Sequence, residues 1–307
     1  MIFISPIAVT DAVLISANVA EPSGSDPAAW SSAVTYAIGA KVRVVGTDSH
    51  KIYQSLQGSN LNHTPGLTTP DLWWIYVGPT NRWNLFDQSI TSQATNATTI
   101  DVTLRPDGRA NAVAILNVSA GYAQVIMTDT ATGTEVYNKT VNLASDSGIT
   151  DWHSYFFSPI SRKEDIVFSD LPPYANPTIR IILSETTMGI IVKAGAIIIG
   201  QKTEVGGTQY GAKVGIQDYS IKTQDIYGNY QVLQRAFRKT ASFSVLVSGS
   251  YVDQLHKLLT DLRSVPIVYA GSDDYTSTII YGFYKDFGIT IAYPAESICS
   301  LDIEGLT

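Results

Sequence analysis

Between residues 82 and 205 the apolar residues come in short runs, and a turn signal stops nearly every run before it reaches helical length. "AVAILNV", "AQVIMTD", "TEVYNKTV", "TIRIILS" and "AGAIIIG" are rich in β-branched side chains, and "RPDGR", "TATGT", "SDSG" and "LPPYANP" separate them. Many short strands with frequent turns specify antiparallel sheets packed face to face. "TDTATGTEVYNKTV" reads as one hairpin with Gly133 at its turn. The predicted fold class is therefore mainly β and multidomain, with a β-sandwich over 80–205.

The rest of the chain organises around this region. Pro22, Ser23, Gly24, Ser25 and Pro27 mark a linker at 21–27. A compact stretch at 28–79 follows, closed by "VGPTN". Residues 206–307 form a third region, where "TASFSVLVSG" alternates with Phe243, Val245 and Val247 on one side. One helix is predicted, at about 251–264: Val252, Leu255, Leu258, Leu259 and Leu262 share a stripe, and Ser250 with Asp253 reads as its cap. The opening "MIFISPIAVTDAVLISANVA" lacks a positive segment and carries Pro6 and Asp11, so residues 1–20 read as strands of the fold rather than a leader.

Composition narrows the function. A net charge of −7, with no run of Lys or Arg, argues against a nucleic-acid partner. "GIIVKAGAIIIG" is too short to span a bilayer. The single cysteine, Cys299, reads as a buried strand residue.

Four histidines without ligand spacing predict neither a metal site nor a cofactor. Asp151, His153 and Ser154 adjoin in "DWHSYFFSP", but a triad must converge in space. The stretch reads as a turn leading into an aromatic strand at Tyr155–Phe157. Gly206, Gly207 and Gly211 read as a chain reversal, and Asp273 with Asp274 as turn residues. No catalytic residue is predicted.

Three of the five tryptophans fall in "DLWWIYVGPTNRWNLFD". A domain as small as 28–79 has little interior, so a few large rings must hold it together. If "LWWIYV" is a strand, Trp73 and Trp74 point to opposite faces and only one can enter a thin core. An outward ring is a stacking surface for the apolar face of a sugar, and Asn60, Asn62, His63 and Gln57 are near enough in sequence to meet its hydroxyls. Packing of that ring on a neighbouring domain explains it equally well. The candidate carbohydrate-binding residues are Trp73, Trp74, Trp30, Tyr53, Tyr76, Asn62 and His63. Trp83 is assigned to the next domain, at the junction.

Over 28–79 the ordered set Trp30, Tyr36, Gly39, Val42, Tyr53, Pro65 and Trp74 before "VG" resembles the short chitin- and cellulose-binding modules attached to bacterial glycoside hydrolases. Trp73 and the loop "SLQGSNLNHTPG" depart from that pattern, so no sugar preference carries over. "GPTNRWNLFD" directly after such a module is similar to bacteriophage and prophage tail proteins. The helix "YVDQLHKLLTDLRS", "VPIVYA", "YGFYKDFGI" and "SICSLDIEGL" resemble the tube-like, ring-forming domains of distal tail and baseplate proteins. The middle sandwich is similar to galactose-binding-type jelly rolls at the level of fold alone.

These resemblances imply a non-enzymatic component of a virion tail, assembled in the bacterial cytoplasm. They imply copies of itself, tube, hub and tape-measure proteins, and a host surface polysaccharide as partners, and pairing of residues 1–20 with the C-terminal domain. Two alternatives stand beside this: a non-catalytic accessory protein of a secreted polysaccharide-degrading system, and a module used only for protein–protein packing.

Overall fold

The computed structural model describes every residue except 45, 47–49, 146–150, 158–160, 188, 273 and 274, together with the side chain of Ser154. Asp273 and Asp274, read from sequence as turn residues, lie outside the described residues.

The chain is mainly β, and its largest element is an antiparallel sheet of ten strands that curls into a half-barrel. Across the sheet the order is Ile166–Phe168, Ala112–Leu116, Ala196–Glu204, Ile2–Pro6, Ile267–Ala270, Ile279–Thr290, Glu296–Gly305 and Phe237–Ser248. Gly207–Thr208 and Lys213–Asp218 both line the outer edge of the last strand. A second sheet of five strands runs Glu135–Asn142, Tyr122–Asp129, Pro177–Ser184, Thr99–Leu104 and Leu14–Ala17.

Burial explains the two sequence patterns. Pro177–Ser184 covers a core with one face and alternates buried Ile179, Ile181 and Leu183 with exposed or half-buried neighbours. Ala112–Leu116 and Ile267–Ala270 are buried throughout, because both of their faces are covered, and they read as unbroken apolar runs. One face of Ala112–Leu116 sends Val113 and Ile115 against Val125, Met127 and Ile181 of the five-stranded sheet, forming the sandwich. Its other face sends Ala112 and Ala114 to Ile4, Val268 and Tyr281. Helix Val252–Asp261 inserts Leu255 and Leu259 among Phe3, Phe243, Tyr269 and Leu301, with buried Cys299 in the same cluster.

The sheet crosses the boundary expected near residue 205. Ile2–Pro6 pairs on one side with Ala196–Glu204 and on the other with Ile267–Ala270, so one strand stitches the middle region to the C-terminal one. The expected pairing of residues 1–20 therefore divides. Leu14–Ala17 joins Thr99–Leu104 in the sandwich rather than the C-terminal region. The two ends of the curled sheet also meet, through an ion pair between Lys239 and buried Asp165.

Three local readings change. The helix cap read at Ser250 is absent: Tyr251 holds the N-cap position without a side-chain bond, and Ser250 Oγ lies 3.0 Å from Ser248 Oγ. Trp152–Phe157 is a short helix, not a turn into a strand. One helical turn brings Trp152 onto Phe156 and His153 against Phe157, at ring-centroid distances of 6.2 and 4.9 Å. The stretch at 21–27 is not a slack connector: Asp26 accepts hydrogen bonds from the backbone of Ser23 and Asn81, at 2.7 and 3.0 Å.

Candidate functional site

Residues 28–79 fold as a three-stranded sheet, Lys41–Val44, Lys51–Ser55 and Trp74–Pro79, beside the short pair Thr35–Tyr36 and Asn60–Leu61. Its interior is built on Trp74, which is 2% exposed. The indole Nε1 donates to the carbonyl of His63 at 2.7 Å, and the ring meets Tyr36 edge-on at 5.3 Å. Around it Val42, Ser55, Asn60 and Pro65 are buried, and Asn60 Nδ2 donates to Ser55 Oγ at 2.9 Å. Trp74 and Asn60 are thus withdrawn from any ligand, which corrects their place among the candidate contacts: the small interior uses them to hold itself together.

Trp73 lies just outside the strand. Its indole is half-buried and stacks on the His63 imidazole at 3.8 Å and 9°. The carboxylate of Asp71 sets this geometry. One oxygen accepts from the backbone N–H groups of Trp73 and Trp74, at 2.9 and 3.1 Å, and the other from Gly66 at 2.9 Å. A turn closed by an aspartate side chain lets two adjacent rings diverge without a regular strand. Gly66 has a positive φ of 71°, and a Cβ there would stand 2.5 Å from the Tyr53 hydroxyl. Gln57 Nε2 donates to Leu72 O at 3.0 Å, tying the second loop to the one that carries Trp73. Exposed Asn62 precedes His63 with φ 58°.

The remaining candidates lie elsewhere in the module. Tyr53 and Tyr76 meet edge-on at 5.8 Å, with the Lys51 ammonium 6.0 Å from the Tyr76 centroid. Burial, then the charge of Asp71, pushes the Tyr53 phenol above its ordinary range. Trp30 is half-buried, and its Nε1 is enclosed without a hydrogen-bond partner. Of the seven candidates, then, Trp73, His63 and Asn62 gather on one loop surface, Tyr76 offers a second exposed ring, and Trp74, Tyr53 and Trp30 serve the interior in whole or in part.

The module is fastened to the body by carboxylates. Glu21 accepts from Thr80 Oγ1 at 2.7 Å and from Trp83 Nε1 at 2.9 Å, and its Oε1 lies 2.8 Å from His50 Nδ1. His50 stacks on Trp83 at 4.1 Å and places Nε2 2.8 Å from Asp11. Beside them His50, Lys51, Tyr76, Trp83, Phe86 and Asp87 line a cleft of about 260 Å³. Burial lifts the Asp87 carboxyl to about 6, against opposing hydrogen bonds from Ser92 and Ser89.

Sequence reasoning missed Asp71 and Glu21. The only signal for Asp71 was its place two residues before the tryptophan pair. Nothing local marked Glu21, whose partners lie about 30 to 60 residues away. Among the described residues no group of three His, Cys, Asp or Glu side chains is placed to hold a metal ion, and no helix is long and apolar enough to cross a membrane. Asp151 and His153 are exposed, the one beside the short aromatic helix and the other on it. Comparison of the chain with protein-family profiles, with curated protein sequences and with solved structures gave no match.

Proposed function

We propose that this protein is a structural component of a phage tail tip or baseplate. It assembles with copies of itself and carries a small module that binds polysaccharide on the host surface. The observation that carries the glycan half is the half-exposed Trp73 ring, stacked on His63 in a loop closed by Asp71. A flat ring held in place binds a pyranose face without having to order itself first. Asn62 and Gln57 supply amides beside it. One such surface binds weakly, and several copies on one assembly raise the avidity. The tail half rests on the likeness of 206–307 and of the "NRWNLFD" junction to tail proteins.

The test is adsorption to host cells, and to insoluble chitin and cellulose, by the wild-type protein and by Trp73→Ala. The expected result is at least a tenfold loss of retention for Trp73→Ala with little change in melting temperature. Unchanged retention on every surface would overturn the glycan reading. Electron microscopy of the purified protein tests the other half, where rings or caps are expected.

A further inference from the structure

Resting on the self-assembly part of that reading, we propose that the ribbon at 210–237 is an arm. It docks on a second copy of this chain, in the hollow where the ends of the curled sheet meet.

The ribbon departs from the body at the sheet edge. Lys213–Asp218 pairs with Phe237–Ser248, and the two chains run on as Ile221–Gln224 and Tyr230–Leu233 to a tip at Asp225–Asn229. Asp225 Oδ1 closes the tip by accepting from the backbone of Tyr227 and Asn229, at 2.9 and 2.8 Å. At about 3.3 Å per residue, the ribbon reaches roughly 20 Å beyond Asp218. Every residue from Tyr210 to Phe237 except Ser220 is exposed.

A two-stranded ribbon alone in water is marginal at best. This one also presents apolar side chains on both faces: Ile221 opposite Leu233 on one, Val232 and Tyr230 on the other. At the tip Ile226 is 91% exposed and Tyr227 82%. With Val214 and Ile216, the arm exposes on the order of 1,000 Å² of apolar side chain over its two faces and tip. A stable protein interface takes about 800 Å² from each partner, an area the arm supplies when a partner covers both of its faces.

Two observations point to a second copy. Lys213, Lys222 and Arg235 against Asp218 and Asp225 leave the segment at +1 on a chain of −7, and the hollow is bordered by Glu164 and Asp165 against Lys239, so the two carry opposite net charge. The chain also holds a hollow of about 340 Å³ of largely apolar lining, set between Leu116 near one end of the sheet, Ile90 of the loop before Ala94–Ala97, and Tyr281 and Leu306 toward the other end. That is room for the Ile226 and Tyr227 side chains. Phe237, at the root of the ribbon, borders the hollow of its own chain, but the docking side chains Ile226 and Tyr227 stand at the tip, roughly 20 Å beyond Asp218, so the contact is head-to-tail, and it closes into a ring when the rotation permits.

The test measures mass in solution for the full chain and two variants. Ile226→Asp with Tyr227→Asp charges the tip, and Thr91→Trp fills the mouth of the hollow from an exposed position. The wild type is expected to be oligomeric. Each variant is expected to be monomeric at concentrations at least tenfold higher, with an unchanged melting temperature. Mixing the two restores one good arm and one good hollow, so a one-to-one heterodimer that grows no further is expected. Rings that survive the tip substitutions overturn the arm and leave the self-assembly reading standing. Assembly that survives Thr91→Trp overturns the hollow as the docking site. A monomeric wild type overturns both.

Discussion

The small module and the body solve the same problem at different scales. The module encloses one large ring, Trp74, with few apolar neighbours, and leaves Trp73, Tyr53 and Tyr76 partly or largely in water. The body spreads its burial over three clusters that meet on the two faces of one sheet. A concentrated interior frees surface for binding but depends on one side chain. A distributed interior tolerates losses and transmits each of them to the whole. The comparison makes predictions that differ in size and in where damage appears.

The largest expected effect is Trp74→Ala. It removes the module's central ring and should cost about 3–5 kcal/mol. Limited proteolysis should then cut within 28–79 while the main unfolding transition of the body stays in place. If the whole protein melts earlier instead, module and body are one cooperative unit. Ile181→Ala, buried in the sandwich, should cost about 3 kcal/mol and lower that main transition, with proteolysis inside the module unchanged.

Asp87 sits between the two regions. Its carboxyl is raised from 3.8 to about 6 when folded, so the folded state holds the proton more tightly than the unfolded chain. The stability from this group is complete below pH 3.8 and is lost as pH rises through about 6. Asp87→Asn should flatten that slope. After discount for its partial exposure, it should also raise stability at pH 7 by about 1 kcal/mol. Urea titrations at pH 4, 5, 6 and 7 check the sign. Trp73→Ala should be the mildest change in stability, at or below about 1 kcal/mol, because half of its ring is already solvated. A larger loss would mean that the stack on His63 holds the module together.

Much of this was legible along the chain and much was not. The runs "TIRIILS" and "AVAILNV" announced strands, and burial then divides them into one covered on one face and one covered on two. The hairpin around Gly133 was local and readable. What could not be read was pairing. Ile2–Pro6 inserts between strands about 200 and 265 residues away, and no local pattern encodes a partner that distant. The aromatic stretch Trp152–Phe157 has strand propensity, and the three- and four-residue spacing of its rings also suits a helix turn. At the candidate site, the split between Trp73 and Trp74 followed from geometry, whereas the Asp71 turn that produces it depends on hydrogen bonds that residue type alone does not announce.

The position of Ile2–Pro6 has a consequence in time. One of this strand's two neighbours, Ile267–Ala270, is made about 260 residues after it. At 5–20 residues per second on a ribosome, the wait is roughly 15 to 50 seconds. During it, an edge containing Phe3 and Ile4, both buried in the finished protein, has nothing beside it. A nascent chain of this design should therefore engage chaperones until the last third emerges, and ribosome profiling of chaperone-bound chains would show release only after residue 270.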